Sequence, residues 1–139
     1  MSTRLKEKEE KILQILNALV EESAKGTLII VEGKKDVEAL RVLGVEGTLM
    51  SVKTGGKSFL DAVSEIERMG TSEVILFLDF DRRGKEGTKR LKQNLERAKI
   101  KPNVKFWRVL SALVGKEIQC VESLTAYLNT LRAKVSAQR

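Results

Sequence analysis

The sequence predicts an α/β fold, a central parallel sheet of about four strands flanked by helices, with extra helices at the N- and C-termini. Three observations carry this expectation. First, Thr27-Leu-Ile-Ile-Val31 and Val74-Ile-Leu-Phe-Leu78 are short apolar runs without helical spacing, so each reads as a strand buried on both faces. Second, segments with helical periodicity alternate with the strands through short loops, which implies right-handed crossovers in a parallel sheet. Third, both apolar runs end in carboxylates, Glu32 after the first and Asp79 with Asp81 after the second. Ligands of open α/β sheets bind at that carboxyl edge.

Each element follows from local pattern. Thr3 can cap a helix to about Ala24, with Leu5, Ile12, Ile15, Leu16, Leu19 and Val20 in one apolar stripe and Glu7 and Lys11 as an i,i+4 pair. That stripe is an amphipathic cover for its own domain, with a dimer or partner surface as the alternative. Lys25-Gly26 stops the helix, and the first buried strand follows. Glu32-Gly33 then leads into a helix over Lys34–Leu43, with Val37, Leu40 and Leu43 inward, ended by Gly44.

Gly47–Val52 reads as a weaker strand. Lys53-Thr-Gly-Gly-Lys57 is a glycine loop that either lets backbone amides approach a phosphate or makes an ordinary tight turn. Ser58-Phe-Leu-Asp61 has capping-box spacing, and Phe59, Leu60, Val63, Ile66 and Met69 give the next helix its inward face. After the Val74–Leu78 strand, residues 82–88 read as a flexible basic turn and Thr88–Ala98 as a basic helix around Leu91 and Leu95. Lys101-Pro-Asn103 reads as its stop and Val104–Val109 as a fourth strand, with Trp107 in the core rather than stacking a base. The tail from Leu110 holds a short helix and another from about Val121 to Lys134. The expected organisation is an N-terminal amphipathic helix (1–26), an α/β domain (27–109) and a C-terminal helical extension (110–139).

Composition excludes several chemistries. The chain has 139 residues, no histidine and one cysteine. Histidine bases, Ser-His-Asp triads, disulfides and zinc clusters are therefore ruled out, and carboxylates are left for acid-base work. Cys120, between Ile118 and Val121, reads as a packing residue. No apolar run approaches a bilayer crossing and the N-terminus is polar, so the expected location is cytoplasmic, with no membrane partner. The net charge of +7 is uneven: residues 82–108 carry 11 Lys+Arg against 2 Asp+Glu, while residues 1–81 carry 11 against 15. Such a block is commonly a solvated face, but beside a cluster of carboxylates it points to nucleic acid.

Asp79 and Asp81, two residues apart on an extended chain, put their side chains on the same side. Two carboxylates held this close repel unless a cation lies between them, and their hard oxygens favour Mg2+, with Mn2+ as the alternative. The competing reading is that one aspartate caps the following helix and the other makes a turn. If the two strand ends are neighbours, Glu32 joins the pair.

Taken together, Ile30-Val-Glu-Gly-Lys-Lys-Asp-Val37 and Leu78-Asp-Phe-Asp-Arg-Arg-Gly84 resemble a Toprim domain, the Rossmann-like module of topoisomerases, bacterial-type primases, OLD-type nucleases and RecR, over residues 27 to about 109. Within that family the chain is similar to the small bacterial ribonuclease that matures 5S ribosomal RNA, through Val31-Glu-Gly-Lys34, Thr54-Gly-Gly56 and, more faintly, Val121-Glu122. It is also similar to small stand-alone archaeal Toprim proteins. The resemblance implies Glu32 as general acid/base or metal contact and Asp79 with Asp81 as magnesium ligands. Phe80 departs from the proline or small residue of primases and the maturase, and Arg83 stands where topoisomerases place a third acid. Tyr127, on an amphipathic helix, reads as core.

Two function classes follow. The first is a metal-dependent nuclease with Glu32, Asp79 and Asp81 at its centre, in which Lys34, Lys35, Lys53, Lys57, Arg82, Arg83, Lys85 and Lys89 neutralise phosphates. RNA is favoured over DNA on the maturase likeness alone. The second is a non-catalytic or weakly catalytic module that binds RNA, a ribosome or another nucleic-acid-processing complex.

Overall fold

The computed structural model describes residues 3–53 and 58–137; Thr54-Gly-Gly56 and Lys57 lie outside the described residues. The order is α1 (Thr3–Ala24), β1 (Leu28–Val31), α2 (Lys34–Val42), β2 (Leu49–Ser51), α3 (Phe59–Arg68), β3 (Glu73–Leu76), α4 (Arg82–Arg97), β4 (Lys101–Asn103), α5 (Lys105–Val114), a 3-10 turn (Val121–Ser123) and α6 (Leu124–Ala137). The four strands form a parallel sheet in the order β2-β1-β3-β4. The expected α/β architecture is therefore present, and the two apolar runs are its central neighbours.

Period-two alternation divides β1 and β3 between two cores. Ile29, Val31, Ile75 and Phe77 face a layer built from α1, α2, α5 and α6, including Leu16, Leu40, Leu110 and Leu128. Leu28, Ile30, Val74 and Leu76 face α3 and α4 through Val63, Ile66, Leu91 and Leu95. Each such fully buried side chain contributes about 1.5–3 kcal/mol relative to exposure. The α1 stripe lies within this core, with Ile12 and Leu19 fully buried. A dimer through α1 is thus left without the apolar face that suggested it. Lys8 and Glu9 tie α1 to the tail, by ion pairs to Glu117 at 2.8 Å and Arg132 at 3.5 Å.

Three expectations need correction. The fourth strand is Lys101–Asn103, and Val104–Val109 lies outside it, mostly in α5. Lys101 N–H donates to Ser72 O at 2.8 Å, so the N–H that Pro102 lacks would point away from β3, where an edge strand has no neighbour. Asn103 Oδ1 accepts Lys105 N–H at 3.0 Å and turns the chain into a helix that buries Phe106, Leu110 and Val114 at four-residue spacing.

Second, the basic stretch after Asp81 is the opening of α4, because Asp81 Oδ1 caps it by accepting Gly84 N–H at 2.7 Å. Its glycines serve close approach, since a Cβ on Gly84 would collide with the backbone of Asp79. Third, α3 has the expected capping box, with Asp61 N–H on Ser58 Oγ at 3.1 Å and Ser58 N–H on Asp61 Oδ2 at 3.2 Å, but Leu60 and Met69 face outward.

Candidate metal centre

The carboxyl edge of β1 and β3 builds the site. Leu28, Ile29 and Ile30 pair with Val74, Ile75 and Leu76, and Phe77 N–H reaches Ile30 O at 2.8 Å. The residues just beyond these runs, Glu32 and Asp79, therefore emerge side by side. α2 adds Asp36 from its first turn. One carboxylate oxygen from each of Glu32, Asp36 and Asp79 lies within 4.8 Å of the others.

The surrounding backbone fixes these groups. Asp36 is buried, 6% exposed, and accepts Gly33 N–H at 3.0 Å. Asp79 Oδ1 accepts Val121 N–H at 3.0 Å, and its carbonyl accepts the Trp107 indole N–H at 3.2 Å. Phe80 N–H donates to Gln119 O at 2.8 Å. Tail residues thus hold the strand end in place, and Trp107 belongs to the support of the site rather than to a strand.

Close carboxylates in a partly dry setting retain protons. Burial first, then the hydrogen bond to Asp79 and the Asp79 charge, push Glu32 up to about 8 against the opposing charge of Lys53. Burial likewise raises Asp36, opposed by the Gly33 N–H and reinforced by the charges of Asp79 and Glu122. Glu32 therefore retains a proton that a cation can replace.

The other predicted residues divide. Asp81 is outside the trio and caps α4 with one of its oxygens, although its charge still acts on Glu32. Lys53, Arg83 and Lys89 line an open cleft of about 630 Å³ that Glu32 also borders. Arg82 points into solvent and pairs with Glu86 at 3.3 Å. Lys85 is exposed, as are Lys34 and Lys35 on the first turn of α2, and Lys34 lines a different groove beside β2. Lys57 lies outside the described residues. Asp36 and Arg90 were missed as site residues, although the four-residue step from Glu32 to Asp36 across a helix start was a readable signal for the first.

The family model described as the Toprim domain matches residues 26–109. The chain belongs to the Toprim family. This Toprim protein is 40% identical over 121 residues to a UPF0292 protein of Methanocaldococcus jannaschii, covering 86% of this chain and 91% of the relative. It is 37% identical over 125 residues to a UPF0292 protein of Methanosarcina barkeri, covering 90% and 85%. A solved protein from Aquifex aeolicus superposes with a TM-score of 0.66 at 24% identity, over 79% of this chain and 94% of that one, which supports the fold.

Toprim domains bind divalent metal ions, and the donor set here fits one: three hard-oxygen ligands converge, and the burial and neighbouring charge that raise Glu32 are what a cation would offset. Domain and acidic cluster together fit metal-dependent action on nucleic acid. No described helix is long and apolar enough to cross a membrane.

Proposed function

We propose that this Toprim protein cleaves phosphodiester bonds of nucleic acid, RNA in preference to DNA, using Mg2+ or Mn2+ held by Glu32, Asp36 and Asp79 with Asp81 at the margin. The observation that carries this reading is the convergence of three carboxylates within 4.8 Å, one of which, Glu32, borders a cleft that Lys53, Arg83, Lys89 and Arg90 also line. When bound, the cation supplies charge for the phosphoryl oxygens and lowers the pKa of water. Lys53, Arg83 and Lys89 hold flanking phosphates, by charge and, for Arg83, by a bidentate fork. Glu32 retains its proton in the metal-free site, and with the cation bound it would be the carboxylate that contacts the ion and takes a proton from water. Asp79 and Asp36 orient, and their backbone donors keep them from swinging out.

The test is incubation of the purified protein with labelled structured RNA and single-stranded DNA in Mg2+, Mn2+ or EDTA. Metal-dependent products that disappear in Asp79→Asn, with binding retained, are expected. A second reading, a binding module for RNA or a ribonucleoprotein such as a ribosome, is favoured by one observation: Asp36, Asp79 and Asp81 each already accept a backbone N–H. Salt-sensitive binding without cleavage in any metal would select it.

A further inference from the structure

One face of α4 presents Arg83, Arg90 and Arg97 at intervals of seven residues, so the three stems lie roughly 10.5 Å apart and the row spans roughly 21 Å. Arg83 and Arg90 line the cleft that Glu32 borders, and Arg90 and Arg97 line its continuation past α3. Among the described residues, none of the three is in an ion pair. Phe59, half-buried, borders both parts of this groove, together with Gln93. A Cβ on Gly87 would come within 3.3 Å of the Phe59 ring, so this glycine lets α4 close onto α3 there. Leu60, 67% exposed, extends the apolar floor towards Arg97.

We propose that the α3–α4 groove is the track for a single-stranded nucleic acid, its backbone along the arginine row and a base stacked on Phe59, leading one phosphodiester to the acidic trio. The proposal rests on the reading of the trio as a phosphodiesterase site and names its substrate class. Charge complementarity selects a polyanion, and the apolar floor selects among polyanions. A duplex turns phosphates outward and keeps its base faces stacked, so an aromatic ring and an exposed leucine between arginines would meet nothing they can use. An unpaired strand offers base faces to the ring and base edges to the Gln93 amide.

The experiment is fluorescence anisotropy on the full chain in EDTA, where cleavage is suppressed, with labelled short RNA, the matching DNA and a blunt hairpin duplex. Single strands should bind at least about tenfold tighter than the hairpin, and the RNA and DNA arms separate the two sugars. Arg90→Ala with Arg97→Ala, both at exposed positions, should weaken single-strand binding and flatten the slope of log affinity against log salt by about 1.4. Phe59→Leu, which keeps apolar volume against Gly87 but removes the ring, should cost about fivefold or more and leave that slope unchanged. Equal affinity for the hairpin, or wild-type affinity in both variants, overturns the track. Oligonucleotide binding of the expected pattern without cleavage in Mg2+ defeats the phosphodiesterase reading alone, and cleavage with unaffected groove variants defeats the track alone.

Discussion

Val121 N–H donates to Asp79 Oδ1 at 3.0 Å across 42 positions of sequence, joining the C-terminal tail to the acidic edge of the sheet. A site that the two central strands would otherwise present on loose loop ends is in this way held by backbone from beyond β4.

The proton retained on Glu32 gives a pH dependence with a defined sign. Glu32 has an ordinary value of 4.5 and is raised to about 8 in the folded chain, so folding takes up a proton between those values. The stabilisation is complete below the unfolded value and is lost as pH rises through the folded one. In EDTA the melting temperature should fall between pH 5 and pH 8.5, and Glu32→Gln should flatten that fall. Added Mg2+ should raise the melting temperature more at pH 8 than at pH 6. Scanning fluorimetry across that range checks both, and a metal-free melting temperature that rises towards pH 8.5 would contradict a raised Glu32.

Asp36 separates structural from metal-binding roles. Asp36→Asn keeps an oxygen for Gly33 N–H and should leave the metal-free melting temperature close to wild type while removing most of the Mg2+ response. Asp36→Ala leaves that N–H without its partner and should cost about 1–3 kcal/mol in chemical denaturation. Equal Mg2+ responses in Asp36→Asn and wild type would remove Asp36 from the ligand set.

Gly84→Ala tests the local geometry. A Cβ there meets the Asp79 backbone and cannot be accommodated by a side-chain rotation. Destabilisation of about 1–3 kcal/mol or more is expected, together with loss of metal response because Asp79 must move. A wild-type melting curve would show that the strand end and α4 do not approach as described.

Adjacent arginines should behave differently. Arg83 lines the cleft, whereas Arg82 is exposed and engaged with Glu86. Arg83→Ala should weaken nucleic-acid binding and reduce the salt slope by about 0.7 to 0.9, with Arg82→Ala close to neutral. Salt titrations of both variants decide it, and equal losses would mean that the whole N-terminal turn of α4 contacts phosphate.

Much of this was legible because the strongest signals are local. Apolar runs without helical period gave β1 and β3, and carboxylates at their ends gave Glu32 and Asp79. Where two periodicities overlap, the reading failed. Val104 and Phe106 alternate like a strand, but Phe106, Leu110 and Val114 also keep helical spacing, and only the edge position of Lys101–Asn103 selects the helix. Gly84 and Gly87 look like loop residues because glycine needed for close packing carries the same letter as glycine needed for a turn. Asp81 supported both readings offered for it, and its cap on α4 is the one visible in the geometry. The contacts of Trp107 and Val121 with Asp79 join positions far apart in the chain, which no local pattern encodes.

The most direct test is a Mn2+ titration of the metal-free protein at pH 7.5, with unbound ion counted by electron paramagnetic resonance. Wild type should take up one ion per chain, and the triple variant Glu32→Gln, Asp36→Asn, Asp79→Asn should take up none while keeping a cooperative melting transition. Equal uptake by the folded triple variant, or none by wild type, would contradict a metal centre at the meeting of β1, α2 and β3.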